Sequence, residues 1–327
     1  MKISSDTPRL GLGCWPLSGP FYQGNRALGY ANADPAESLR ALDAAYANGI
    51  RIFDTAAVYG AGKGERLVGA SIAQKPDTTI ISKIGLKFDE DSEQLIGPDS
   101  DPANVMAAID ACLARLNCDH IDLMLLHQNE LPVEDAAPLF DAMEAARQAG
   151  KIGTFGWSTD FPDSVAAMAP RDGFSAVEHA MHVFLPASDV RKEIENNGLI
   201  SLARSPLAMG LLSGKYGAST KLAQDDVRTG DEDYNDYYVD GRANPKYLDQ
   251  IATVRDLLQT GGRSLVQGAL GWVMAAGGTT VPLPGARTVA QVEENAKALV
   301  HGPLPDQIIA DIEAVLTRPT EGPARAR

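Results

Sequence analysis

Cysteine is scarce. The 327 residues include three, Cys14, Cys112 and Cys118, an odd number with no CxxC pair. That excludes a disulfide framework, and the thiols read as reduced, small apolar residues of a cytoplasmic protein. Long hydrophobic runs are missing. No stretch approaches the ~20 consecutive apolar residues of a membrane span, and the opening MKISSDTPRL has no apolar run suited to a signal peptide. Positive charge is in deficit, with 29 Lys and Arg against 43 Asp and Glu for a net charge of −14. Such a surface repels nucleic acid and anionic lipid, so neither is an expected partner. An anionic cofactor would need positive charge gathered at its own site. The five histidines, His120, His127, His179, His182 and His301, show no HExxH spacing, so no metal is expected.

What is present is an alternation of short apolar segments with amphipathic ones, the pattern of an α/β protein with a parallel sheet. Strands are predicted at 10–13, 51–54, 79–83, 121–127, 154–157, 176–178, 199–204 and 280–283. Asp34-Pro35 and Asp101-Pro102 read as helix starts, and Asn48-Gly49 as a stop. Further helices fit 134–148, 188–196, 247–258, 264–275 and 289–299. Eight such units predict a single-domain (β/α)8 TIM barrel over residues 1–327. A long polar loop, 217–244, lies between strands seven and eight and is expected on the substrate side, because long loops in compact domains are usually functional. The tail 319–327 is expected to be frayed.

Barrel active sites sit at the C-terminal ends of the strands. Strand two ends in Asp54, strand three in Lys83 and strand four in His127, and Tyr59 follows Asp54 by five residues. Singly, each reads as a cap, a solvated charge or a structural histidine. Together at one barrel mouth they suit carbonyl reduction. Hydride addition makes an alkoxide that must be protonated as it forms. A tyrosine, with a free pKa of ~10, is a poor acid–base group at neutral pH, but a nearby ammonium lowers that value. Lys83 is expected to do so, with Asp54 fixing the lysine and a neutral His127 orienting the carbonyl.

The segments Phe53-Asp54-Thr55-Ala56-Ala57-Val58-Tyr59-Gly60, Ile81-Ser82-Lys83 and Leu125-Leu126-His127 resemble the aldo-keto reductase superfamily. So do Gly11-Leu12-Gly13, Gly150-Lys151-Ile152, Ser205-Pro206-Leu207, Gly210-Leu211-Leu212-Ser213-Gly214-Lys215 and Pro284-Gly285-Ala286-Arg287 with Glu294-Asn295. The likeness runs nearly end to end and is nearest the bacterial general-purpose members. It implies the catalytic tetrad Asp54, Tyr59, Lys83 and His127, and NADPH as cofactor in preference to NADH.

No GxGxxG follows a strand, so a Rossmann site is not indicated, and Gly60-Ala61-Gly62-Lys63-Gly64 lacks the ending of a phosphate loop. Barrel phosphates commonly bind after strands seven and eight. Candidates there are Ser205, Leu207, Gly210, Gly285 and Arg287, with the helix start near Thr288 offering unpaired N–H groups. The resemblance places Arg287 at the 2′-phosphate and Gln291, Glu294 and Asn295 at the adenine end. It extends the cofactor set to Trp15, Ser158, Thr159, Pro206, Leu212, Lys215 and Pro284.

At the ring end the sequence departs from the family. Ser158-Thr159 with Asp160 stands for a Ser-Asn pair, Glu178 for a Gln, His182 for an Asn, and Arg204 for a stacking aromatic. An ionised Glu only accepts hydrogen bonds. A charged Glu178 is therefore expected to favour the oxidised nicotinamide.

The expected substrate walls are Trp15, Phe21, Tyr22, His127, Trp157 and His182, with Tyr234, Tyr237 and Tyr238 of the loop. They suit a small apolar or sugar-like carbonyl compound. Asp231, Glu232, Asp233 and Asp236 make the loop acidic, which disfavours anionic substrates. A monomer or weak homo-oligomer is expected. Two alternatives remain open: a sugar or polyol dehydrogenase working oxidatively, and a cofactor-sensing regulatory subunit.

Overall fold

The computed structural model describes residues 9–230 and 236–318. Eight parallel strands run in sequence order around one barrel: β1 (Gly11–Gly13), β2 (Ile52–Asp54), β3 (Thr79–Ile84), β4 (Ile121–Leu126), β5 (Ile152–Ser158), β6 (Phe174–Ala180), β7 (Ile200–Arg204) and β8 (Thr280–Leu283). The ring closes where Gly13 bridges Gly285 and its N–H donates to Pro284 O at 3.1 Å.

Side chains alternate along each strand, and that period sorts the layers. Ile52, Ile81, Leu123, Leu125, Ala176, Leu202, Val281 and Leu283 pack with one another as the filling of the bore. Their neighbours Phe53, Ile80, Met124, Val177 and Ala203 face outward into the larger core beneath the helices. Two residues beyond a bore position, the chain again points inward, now at the mouth. Asp54 follows Ile52 in this way, Lys83 follows Ile81, His127 follows Leu125, Glu178 follows Ala176 and Arg204 follows Leu202. The charged ring at the mouth is thus the continuation of the apolar bore.

The outer helices begin and end on local signals. α1 (Pro35–Ala47) starts where the Asp34 side chain accepts from Ala36 N at 3.0 Å, and stops at Asn48 before Gly49, whose φ is +88°. α2 (Lys63–Ser71), α3 (Val105–Leu116), α4 (Val133–Gln148) and α6 (Ser188–Asn196) follow their strands, with α5 (Pro162–Met168) a short crossover. α7 (Pro245–Leu258) precedes α8 (Leu265–Met274), which opens on a reciprocal Ser264–Gln267 capping box. A helix predicted over 289–299 breaks at Lys297 into α9 (Val289–Ala296) and α10 (Ala298–His301). α11 (Asp306–Val315) closes the described chain, and the tail 319–327 lies outside the described residues.

Periodicity did not reveal α5, α11 or the sheet beside the mouth. Tyr22–Gln23, Arg26–Ala27, Leu86–Asp89 and Gln94–Pro98 form a four-stranded sheet there. Strands of two to five half-exposed residues carry too little alternation to stand out from a loop. Among the described residues, no helix is long and apolar enough to cross a membrane.

Candidate active site

The loop carrying Tyr59 is stitched to β3. Thr55 N donates to Ile81 O at 2.9 Å, Ala57 N to Lys83 O at 3.1 Å, and Tyr59 N turns back to Ala56 O. Gly60 lets the backbone pass Ser18, since with φ +57° a Cβ there would lie 2.0 Å from Ser18 O. Tyr59 is thereby held over Lys83. The Lys83 Nζ donates to Asp54 Oδ1 at 2.5 Å, to Thr55 O at 3.0 Å and to the Tyr59 hydroxyl at 3.3 Å. The His127 ring meets the Tyr59 ring edge-on at 5.8 Å, and Trp15 stacks on its other side at 5.9 Å. All four expected residues converge.

A fifth joins them. Glu178 Oε2 lies 3.2 Å from Lys83 Nζ, and both side chains are buried. Lys83 therefore stands between two carboxylates.

The electrostatics correct one expectation. Tyr59 is pushed above the usual phenol range, not below it. Burial of the phenolate is the largest cause, Lys83 pulls the other way, and Asp54 and Glu178 add to the rise. Burial alone would lower Lys83, but Asp54 and Glu178 outweigh it and hold the ammonium charged. Asp54 is raised, by burial first and then by Glu178, against the pull of Lys83. His127 is lowered to about 3 by burial, then by Lys83 and Arg204, so it is neutral as expected.

Above this group opens a cavity of about 960 Å³. One arm is lined by Ser205, Pro206, Leu207, Gly210, Lys215, Gly285, Arg287, Gln291, Glu294 and Asn295. Trp15, Ser158, Glu178 and Arg204 line its inner end with Asp54, Tyr59 and His127. Of the expected cofactor residues, Thr159, Leu212 and Pro284 do not reach the lining. Thr159 is buried with its hydroxyl on Asn129 O, and Leu212 packs in the core. At the start of α9, Val289 N donates to Glu37 Oε1 and Gln291 N to Thr288 Oγ1, while Thr288 and Ala290 line the cavity. Arg204 is ion-paired to Asp160, whose other oxygen accepts from Ala180 N at 2.7 Å.

The other arm is lined by Phe21, Arg26, Leu28, Val58, Leu86, Leu95, Gln128, Asn129 and Glu130. Phe21 was expected there, but Tyr22, Trp157 and His182 are not on the lining. Trp157 is sealed behind β5, donating to Gln128 O at 2.9 Å and packing on Phe140. His182 is buried 2.6 Å from the Tyr237 hydroxyl, with its other nitrogen accepting from Phe184 N. Leu86 and Leu95 belong to the small sheet beside the mouth and Leu28 follows its strand Arg26–Ala27, so the sequence pattern does not mark them.

The long loop reaches the cavity through Arg228, beside Tyr216 that precedes the loop, and not through Tyr237 or Tyr238. Arg228 forms two hydrogen bonds to the Asp226 carboxylate and lies 4.6 Å over Tyr216 and 5.4 Å over Tyr238. It packs beside Gly210 and lies 5.6 Å over the Tyr30 ring. Residues 231–234 of the expected acidic, tyrosine-bearing stretch lie outside the described residues. Among the described residues, no group of three His, Cys, Asp or Glu could hold a metal ion.

The chain matches the Aldo/keto reductase family over residues 9–317. It is 27% identical over 300 residues to the aldo-keto reductase YhdN of Bacillus subtilis, covering 88% of this chain and 84% of that one. To yakc of Schizosaccharomyces pombe, named as an NADP(+) aldo-keto reductase, it is 26% identical over 311 residues, with 91% and 86% covered. Among solved structures it is similar to the glycerol dehydrogenase AKR11B4 of Gluconobacter oxydans, with a TM-score of 0.79, 26% identity and 99% of each chain covered.

Proposed function

Because the chain belongs to the aldo/keto reductase family of NAD(P)H-dependent oxidoreductases, we propose that it reduces an aldehyde or ketone with NADPH, and that Tyr59 is the proton donor. The observation that carries this reading is the Tyr59 hydroxyl, 3.3 Å from a charged Lys83 and open to the cavity beside a neutral His127.

The residues present fit the cofactor. Asn295 Nδ2, a buried donor at one end of the long arm, has no hydrogen-bond partner among the described residues, and Glu178, on the lining at the other end, carries a buried carboxylate whose Oε2 lies 3.2 Å from Lys83 Nζ. Arg287 and Lys215 concentrate positive charge on a chain of net −14, as a dinucleotide phosphate requires. Arg287, Gln291 and Asn295 would hold the adenine end and its 2′-phosphate, Ser205 to Leu207 and Lys215 the diphosphate, and Ser158, Glu178 and Arg204 the nicotinamide. The bound cofactor supplies a hydride.

The chain's own groups manage the proton. His127, neutral, donates a hydrogen bond to the carbonyl oxygen and orients it against Tyr59. Tyr59 keeps its proton at neutral pH and gives it to the oxygen as negative charge develops there. Lys83, fixed by Asp54, stabilises the phenolate left behind. The apolar wall of Phe21, Leu28, Val58, Leu86 and Leu95 favours small carbonyl compounds with an apolar or aromatic substituent.

A second reading, oxidation of an alcohol or polyol, draws on the likeness to a glycerol dehydrogenase. Steady-state rates with 4-nitrobenzaldehyde and NADPH, with NADH in place of NADPH, and with alcohols and NADP⁺ across pH separate the two. Faster alcohol oxidation at neutral pH would favour the second. No turnover in either direction, with NADPH still bound, would point instead to a cofactor-sensing subunit.

A further inference from the structure

Glu178 enters the site from the far side of the barrel. It sits on β6, aligned with Ser158 of β5 and Leu202 of β7, whereas Lys83 sits on β3 and pairs with Leu125 of β4. Its carboxylate nonetheless reaches Lys83 across the mouth, 3.2 Å from an ammonium that is 2.5 Å from Asp54 and 3.3 Å from Tyr59. All of these contacts lie in buried surroundings, where charges are weakly screened.

We propose that Glu178 is a positioning residue for the acid–base step: by sharing Lys83 with Asp54 it weakens the ammonium's pull on the Tyr59 hydroxyl. The inference rests on the reading of Tyr59 as the acid–base group.

Lys83 favours the phenolate from 3.3 Å, and Glu178 stands at nearly the same distance from Lys83 with the opposite charge. Burial is the largest cause that keeps the proton on the phenol, and the remaining groups that face it do not stand in for Glu178. Asp54 on β2 pairs with Lys83 and is itself raised by Glu178. His127 beyond β4 is neutral. Arg204 at the end of β7 is paired with Asp160 beyond β5. Cys14 beyond β1 is a buried thiol held protonated. A Gln at position 178 would keep the shape and remove the one carboxylate that Lys83 does not need for its own placement. The same contact bears on the expectation that Glu178 favours the oxidised ring. That expectation takes Glu178 as charged, and the structure sets a buried cation beside it.

The test is the ionisation of Tyr59 in the cofactor-free enzyme. It is read as the tyrosinate ultraviolet signal lost on Tyr59→Phe, in wild type and in Glu178→Gln. The expected result is Tyr59 ionisation at lower pH in Glu178→Gln, by about one pH unit or more, the range typical of a close charge. Glu178→Asp, which draws the carboxylate back by one methylene, should give a smaller shift in the same direction, and it serves where Glu178→Gln does not fold. The pH profile of alcohol oxidation should move downward in step. A Tyr59 as resistant to ionisation in both variants as in wild type overturns the proposal. So does a changed ratio of NADP⁺ to NADPH dissociation constants with no change at Tyr59, since Glu178 would then act on the ring directly. If Tyr59→Phe kept full turnover, the functional reading would fall, while the ionisation measurement would still decide the role of Glu178.

Discussion

Lys83 Nζ lies 3.3 Å from the Tyr59 hydroxyl, yet the phenol is pushed upward and not into the neutral range. An ammonium at that distance stabilises the phenolate, but burial opposes it more strongly, and Asp54 and Glu178 oppose it as well. The outcome is a tyrosine that carries its proton at neutral pH beside a cation ready to receive its conjugate base. That arrangement suits giving a proton to a forming alkoxide better than taking one from an alcohol.

Tyr59→Phe removes the hydroxyl and leaves the ring between Trp15 and His127. Carbonyl reduction should fall by roughly 10²–10⁴-fold in kcat, the usual contribution of a positioned acid. NADPH affinity, followed by fluorescence, should stay within a few-fold. Wild-type turnover in this variant would refute the proton-donor role.

Arg287→Leu should weaken NADPH binding by about 10–100-fold, as expected for lost hydrogen bonds to a charged group. NADH binding should change much less, because Arg287 is assigned to the 2′-phosphate alone. Equal losses for the two cofactors, measured by titration, would move Arg287 elsewhere.

Acid stability follows from the buried histidines. His127, His179 and His182 are lowered to about 3, 4 and 3, in each case by burial first. They stay neutral in the folded protein while the unfolded chain takes up protons below about pH 6.5. Stability is therefore intact above that pH and falls as pH drops toward 4, by up to ~1.4 kcal/mol per pH unit for each histidine. Denaturant titrations of wild type and His182→Asn should show a pH slope shallower by one proton in the variant. Parallel slopes would mean that His182 is not buried neutral.

Gly268 lies inside α8, where Ala is normally favoured by about 1 kcal/mol. Here a Cβ would sit 1.9 Å from Leu258 O at the end of α7. Gly268→Ala should therefore destabilise, by about 1–3 kcal/mol as for other overpacked sites. Turnover of the remaining folded enzyme should be unchanged. A raised Tm would show that α7 and α8 can separate at little cost.

The sequence was informative where chemistry is carried by period. Alternation along β2, β3 and β4 runs from the bore residues Ile52, Ile81 and Leu125 to Asp54, Lys83 and His127, so both the barrel and its expected tetrad could be read from strand ends. Arg287 was legible as a cation on a chain poor in cations. Trp157 and His182 misled because an aromatic at a strand end looks the same whether it faces the mouth or the helices. Only the packing of Phe140 and Tyr237 decides which. The cavity's apolar wall was hidden in strands too short to show a pattern.

By itself, then, the sequence determined which barrel strands form, in what order, and which polar groups end them, because those depend on neighbours two to four residues apart. Tertiary structure alone decided the balance at Tyr59. Glu178 meets Lys83 only because the sheet closes on itself and brings β6 across from β3. The desolvation that raises the phenol is a property of the closed barrel mouth, which no local stretch of chain contains.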